Sequence, residues 1–273
     1  MKKTFHKLTD DQVHRYSRHI ILTDFGSEGV NKLLNATVTV VGAGGLGCPV
    51  IQMLASAGVG HIKVIDGDLV DLSNLPRQTL HLTPDVGRKK VDSIADKVKA
   101  INPDVKLEIF PELLTRENSA EILKGSDYVI DASDNFATKF LVNDVCVHLN
   151  ISFTIAGVVQ WMGQLISVNP GETTCYRCIF HTISAGDESM SCSAAGVINT
   201  VPSFAGILQA NEAIKTLIGK SQKFTNGLFT FDLAENIFDF ISIKRNPSCA
   251  ACSNPKEPFY LTEKYYIVND ECN

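Results

Sequence analysis

No window of the chain reaches eighteen uninterrupted apolar residues, so no membrane-spanning helix is expected. The opening MKKTFHKLTDD is basic at first but meets acidic residues without an apolar segment between, and no signal peptide is expected. Positive charge is scarce. Lysine and arginine number 25 against 30 aspartates and glutamates, giving a net charge of -5. No arginine-rich helix or basic stretch interleaved with aromatics occurs, so nucleic acid is not an expected partner, and a positively charged patch on a partner is favoured. Internal repeats and low-complexity linkers are also missing. What remains is an ordinary globular composition: 273 residues, 44% of them hydrophobic, enough for one large α/β domain or two small ones. Eight cysteines would be odd for a secreted disulfide scaffold of this size. Four of them fall in two C-x-x-C pairs, which suits metal binding in a reducing, cytoplasmic setting.

Asp10 to Ile20 carries charges at helix-like spacing. Thr37 to Val41 is a β-branched run ending at Gly42, Leu46 to Ala57 reads as a small-residue helix stopped by Gly58 and Gly60, and His61 to Asp66 reads as a second strand. That order is a βαβ unit. Val91, Ile94, Val98 and Ile101 recur at helical spacing until Asn102-Pro103. Lys106 to Phe110 and Tyr128 to Ser133 read as strands with a short helix at Ser119 to Leu123 between them, which extends the alternation and predicts a doubly wound parallel sheet over about residues 1–150. Beyond it, Ser152 to Val158, Gly163 to Asn169 and the segments of Gly227 to Arg245 suit antiparallel additions to the same sheet. Val201 to Ile218 is an apolar helix, and Ser184 to Ser193 has the composition of a mobile polar loop. The expected fold is thus one α/β unit over 1–273, Rossmann-like, with an antiparallel and cysteine-bearing half over about 151–273.

The pattern Gly42-x-Gly44-x-x-Gly47 lies between a strand and a helix, where glycines let backbone approach a phosphate and the helix N-terminus offers N–H donors. Asp66, nineteen residues after Gly47, is placed to bind ribose hydroxyls. These features argue for an adenine nucleotide and by themselves favour NAD or FAD, with a mere packing role for the glycines as a further alternative. Just past Asp66 and Asp68, Ser73-Asn74-Leu75-Pro76-Arg77-Gln78 puts an arginine near the carboxyl ends of the strands. A hydride-transfer site has no obvious need of it, whereas attack at the α-phosphorus of a triphosphate develops negative charge on the departing pyrophosphate that cations must neutralise. Lys90 adds a second cation, and Asp134 suits a Mg²⁺ bridging phosphate oxygens. The competing readings are solvated surface charges for Arg77 and Lys90, and a helix N-cap for Asp134-Asn135.

RYSRHI (Arg15 to Ile20), VGAGGLGCPV (Val41 to Val50, including Gly45), LASAGVGHIKVID (Leu54 to Asp66), SNLPRQTL (Ser73 to Leu80) and DASDN (Asp131 to Asn135) resemble the ThiF/MoeB/HesA adenylyltransferases. The resemblance continues through CYRC (Cys175 to Cys178), CSAAGV (Cys192 to Val197), LQANEAIK (Leu208 to Lys215) and CAAC (Cys249 to Cys252), covering about Tyr16 to Cys252. It implies a homodimer with one nucleotide site per subunit and a sheet of roughly eight strands. It further implies Asp66 on the ribose, Asn74, Arg77 and Lys90 on the phosphates, Asp134 on Mg²⁺, and Arg18 reaching the phosphates of the neighbouring subunit, with Gln78 also matching the motif. Pro76 and His19 depart from the more usual glutamine without touching a residue assigned to chemistry. The implied reaction is MgATP-dependent adenylation of the C-terminal Gly-Gly carboxylate of a ubiquitin-like sulfur carrier, of the kind that serves thiamine, molybdopterin or related sulfur pathways. No rhodanese-like extension follows CAAC, so the sulfur donor is expected to come from elsewhere.

Cys175, Cys178, Cys249 and Cys252 make a candidate closed zinc site, against buried free thiols or a redox pair; the resemblance favours zinc. Cys192, at the end of the polar loop and just before an expected helix, has the setting of a nucleophile. In some members of the family a cysteine here is linked to the activated carrier or handles sulfur, and in others it is dispensable. Cys48 and Cys146 lie in apolar helices as core residues, and Cys272 in a tail. Two other functions compete: an NAD-dependent oxidoreductase, undercut by Arg77 and Asp134, and a non-catalytic scaffold that keeps the nucleotide fold.

Overall fold

A computed structural model describes residues 7–181, 195–256, 258 and 260. Its centre is an eight-stranded sheet in the order β3-β2-β1-β4-β5-β6-β7-β8. The strands are β1 Thr37–Val41, β2 His61–Ile65, β3 Lys106–Phe110, β4 Tyr128–Asp131, β5 Phe153–Val159, β6 Met162–Val168, β7 Gly227–Asp232 and β8 Ile237–Ser242. Helices α4 Gly47–Ala57, α5 Lys90–Ile101, α6 Arg116–Leu123 and α7 Phe136–Leu149 carry the chain between the first five strands. Three shorter helices, α1 Asp10–Arg15, α2 Ser17–Ile20 and α3 Gly26–Leu34, precede β1. The four-residue α8 Tyr176–Ile179 and the long α9 Thr200–Ile218 follow β6.

The twofold period of the strands decides which helix covers which face. Val38, Val40, Ile62, Val64, Tyr128 and Ile130 point into one core with Ile51 and Leu54 of α4, Val91, Ile94 and Val98 of α5, and Ala205 and Ala213 of α9. Val41, Ile65 and Val129 point the other way, against Ile122 and Leu123 of α6 and Phe140, Val145 and Cys146 of α7. With helices on both faces the inner strands TVTVV, HIKVI and YVID are mostly apolar and buried, as parallel strands require. The order reverses between β1 and β4, and that switch point opens a crevice at the carboxyl ends of both strands.

Three expectations need correction. The helical segment over Asp10–Ile20 is two helices, because Tyr16 turns inward between them, packs on the left-handed Gly58 that ends α4 and accepts a 2.8 Å hydrogen bond from Asn102. The fourth strand ends at Asp131 rather than Ser133, because Lys139 and Asp131 draw the next two residues into a loop. The change of strand direction also comes later than residue 150. β5 runs parallel to β4 and only its other edge pairs antiparallel, with β6, since the αβ crossover through α7 returns the chain to the same end of the sheet.

Candidate functional site

β1 ends in a turn that only glycine permits. Gly42 has φ +99°, and a Cβ there would lie 2.7 Å from the Ala132 carbonyl oxygen. At Gly47 a Cβ would stand 2.0 Å from the Gly42 carbonyl oxygen. The two outer glycines therefore close the turn against itself and against the end of β4, while Gly44 and Gly45 line the cleft above it together with Gly42. Gly47 is not among the lining residues. No side chain caps α4, but Cys48 and Val50 already donate to the Gly44 and Leu46 carbonyls and Pro49 has no N–H, so the backbone open to the cleft is that of Gly44, Gly45 and Leu46. Below the turn, buried His81 contacts the Ala43 carbonyl oxygen through Nε2 and the Ser93 hydroxyl through Nδ1, both at 2.9 Å. A carbonyl only accepts, so Nε2 carries the proton and Nδ1 accepts from Ser93.

The cleft has a volume of about 560 Å³ and joins two chemically different ends. At one, the glycine turn meets Asp66, Asp68, Arg77, Gln78, Lys90, Ser133 and Asp134. The other is walled by β5 to β8, with Val158, Met162, Phe231 and Ile237 interspersed with the polar Gln164, Thr230, Asp232 and Asp239 and with Gly157 and Gly163. Arg77, Lys90 and Asp134 thus line the same cleft as the glycine turn, Lys90 buried, Arg77 half-buried and Asp134 exposed.

Each charged group is held by identifiable partners. Asp66 accepts from the Ala43 N–H at 2.8 Å and the Asp68 N–H at 2.9 Å, and burial raises its carboxyl above the usual range, opposed by the charge of Lys90. Lys90, almost fully buried at the first position of α5, reaches Asp68 at 2.6 Å and Asp66 at 3.9 Å. It is therefore not a free cation, as sequence alone suggested, but one already committed to carboxylates. Asp68 is 64% exposed and can yield it to a phosphate. Arg77 is half-buried and anchors one guanidinium nitrogen on the Ser73 carbonyl at 3.1 Å. Asn74 lies in the short helical turn below it, accepting from the Arg77 and Gln78 N–H groups through its carbonyl, and does not line the cleft. Gln78 is buried beside Gly44, with its Oε1 lacking a hydrogen-bond partner among the described residues. Asp134 is exposed at the cleft, one residue before Asn135, whose side chain caps α7 by accepting from the Thr138 N–H at 2.8 Å. Arg18 is exposed on α2 and does not line this cleft. Cys192 lies outside the described residues, as do the loop over Ser184 to Ser193 and Cys272.

The structure also shows groups that motif reading missed. Lys139 of α7 is buried against Asp131 at the cleft floor, and Gln209 of α9 donates to the Asp131 carbonyl at 2.7 Å. The available signal was a single lysine in FATKFLVNDVCVHL, a run rich in apolar residues. His81 gave none.

Away from the cleft, α8 and the turn after β8 bring Cys175, Cys178, Cys249 and Cys252 together, all buried, with their sulfurs within 4.8 Å of one another. Sulfur separations of 3.6, 3.6 and 3.8 Å compare with the edge of about 3.8 Å of a tetrahedron whose zinc–sulfur bonds are roughly 2.3 Å. The donor set fits Zn²⁺. Neighbouring sulfurs, Cys175 first, hold the Cys252 thiol down to about 7. Cys48 and Cys146 are core residues as expected; burial pushes the Cys48 thiol up to about 12.

A doubly wound α/β sheet with a glycine turn, an acidic residue after β2 and a charged crevice at its switch point defines a nucleotide-binding protein, here one carrying a four-cysteine site that fits zinc. The chain belongs to the ThiF family, whose model matches residues 16–251. It is 40% identical to the SAMP-activating enzyme E1 of Haloferax volcanii over 88% of this chain and 89% of that one. To the sulfur carrier protein adenylyltransferase of Thermus thermophilus it is 41% identical, over 90% and 93%. Among solved structures, that of E. coli MccB with ATP superposes with a TM-score of 0.77 at 25% identity, covering 88% of this chain and 75% of that one.

Proposed function

We propose that this chain adenylates the C-terminal Gly-Gly carboxylate of a ubiquitin-like sulfur carrier, using ATP with Mg²⁺. The observation that carries the reading is that Arg77, Lys90 and Asp134 line one cleft with the glycine turn, a cleft that continues to a glycine-flanked wall on β5 to β8. Support also comes from the two relatives, a SAMP-activating enzyme and a sulfur carrier protein adenylyltransferase, which match along 88% and 90% of the chain.

The triphosphate would rest on the turn at Gly44, Gly45 and Leu46, with the ribose at Asp66 and the Mg²⁺ held by Asp134. Mg²⁺ would supply charge compensation at the phosphate oxygens. A carrier carboxylate oxygen attacks the α-phosphorus, a P–O bond forms, the bond to the bridging oxygen breaks, and pyrophosphate leaves with that electron pair. The attacking carboxylate is already ionised, so no general base is required. What the protein contributes is alignment and neutralisation of the charge that grows on the leaving group. Arg77 meets that need with an anchored guanidinium, and Lys90 by exchanging Asp68 for a phosphate.

The same reading takes the protein as a homodimer in which Arg18 acts on the partner's phosphates. Its exposure and its position outside the cleft of its own chain favour that arrangement. Zn²⁺ bound by the four cysteines would hold the fold, having no open coordination position. A nucleophilic role for Cys192 after adenylation belongs to this proposal too.

The test is incubation with MgATP and candidate Gly-Gly-ended carriers, followed by intact mass spectrometry and pyrophosphate exchange. A carrier mass increased by one AMP, with exchange that depends on that carrier, is the expected result. Absence of both with every such carrier would sink the assignment.

A further inference from the structure

Lys139 is a cation at the cleft floor to which the reaction above gives no task. Its side chain is 6% exposed, within the helix FATKFLVNDVCVHL. Nζ lies 2.8 Å from Asp131 Oδ2, 2.6 Å from the Ser133 carbonyl oxygen and 2.6 Å from the Ala156 carbonyl oxygen. An ammonium has three protons, and all three are taken. Lys139 therefore has no donor left for a phosphate, and its charge is balanced by Asp131.

What the three bonds do is mechanical. They tie the end of β4, the loop that follows it and β5 to one atom. The loop is held from other sides as well: Ser133 Oγ donates to Asp131 Oδ1 at 2.5 Å, the Ala132 N–H donates to the Val41 carbonyl at 2.8 Å, and the Ala132 carbonyl abuts Gly42. Asp134 follows Ser133 directly and precedes the cap of α7 at Asn135. Its own side chain is exposed, and the clamps on either side fix the backbone from which it projects.

We propose that Lys139 is a positioning residue that aims the Asp134 carboxylate at Mg²⁺ by fixing the Ser133 carbonyl between β4 and β5. The inference rests on the reading of Asp134 as the Mg²⁺ ligand. Groups that orient a metal ligand from behind typically change metal affinity by about 10- to 100-fold when removed.

Removing Lys139 alone would strand a buried carboxylate, so the variant to use is Lys139→Met with Asp131→Asn. ATP binding is measured by titration calorimetry with and without saturating Mg²⁺, in wild type, in Asp134→Ala and in the double variant. Wild type is expected to gain affinity with Mg²⁺ and Asp134→Ala to lose that gain. The double variant should lose about 10-fold or more of it while its Mg²⁺-free affinity stays within about 2-fold of wild type. In carrier-dependent exchange, kcat should fall while the KM for the carrier is kept. A folded double variant with the full Mg²⁺ gain overturns the role of Lys139 while leaving Asp134 in place. Should Asp134→Ala keep the gain, the reading of Asp134 fails and this inference falls with it. If the methionine variant does not fold, Lys139→Gln with Asp131→Asn takes its place under the same two criteria.

Discussion

The two halves of the sheet are stabilised differently. β1, β2 and β4 are buried on both faces between helices, and their carboxyl ends carry the glycine turn, Asp66 and the Lys139 clamp. β8, at the opposite edge, is exposed at all six residues, including Ile237, Phe238, Phe240 and Ile241. The chain beyond it is fastened back to the middle of the protein by Cys249 and Cys252 meeting Cys175 and Cys178. The buried ends of β1, β2 and β4 are the frame on which half-buried Arg77 and exposed Asp134 are carried. The antiparallel half ends in an exposed strand, and a metal held by the four cysteines would fasten the chain that follows it.

That contrast can be broken from either side. The largest expected effect is Gly47→Ala, whose new Cβ would collide with the Gly42 carbonyl oxygen and open the turn. Carrier-dependent pyrophosphate exchange should become undetectable, and wild-type exchange in this variant would refute a closed turn. Next come Arg77→Ala and Asp134→Ala, each expected to lower exchange by about 10²-fold or more, the scale of removing one preorganised stabilising group. If both keep wild-type rates, the polar end of the cleft is not the reacting end.

Cys249→Ser, or chelation of the native protein, acts on the other half. We expect loss of about one zinc per chain by metal analysis and a stability loss on the order of 4 kcal/mol, roughly 10 °C in Tm. Proteolysis should begin near β7 and β8 and spare β1 to β4. Cleavage starting in the parallel half would reverse the comparison. The smallest effect concerns His81. Burial holds its imidazole below the ordinary value, with Lys90, Asp66 and Asp85 the charged groups around it. Below about pH 6.5 the unfolded chain therefore binds a proton that the folded one resists, so this contribution is complete above that pH and declines as the medium is acidified toward the folded pKa. Urea unfolding of wild type and His81→Gln should show a shallower loss of stability on acidification in the variant. Identical slopes would remove His81 from the account.

Sequence alone determined what depends on near neighbours. The β-branched run into Gly42, the helical spacing from Val91 to Ile101 and the two C-x-x-C pairs each express a constraint spanning a few residues, and each appears where its pattern placed it. Only the tertiary structure decided what depends on residues far apart in the chain. Lys90 meets Asp68 across 22 positions, Lys139 reaches Ala156 across 17, and Gln209 finds Asp131 across 78. The direction of β5 was equally hidden, since the same alternating residues suit a parallel or an antiparallel neighbour and the crossover through α7 makes the choice. A local pattern can specify a backbone conformation, but which charges share a buried space is set by how the elements pack.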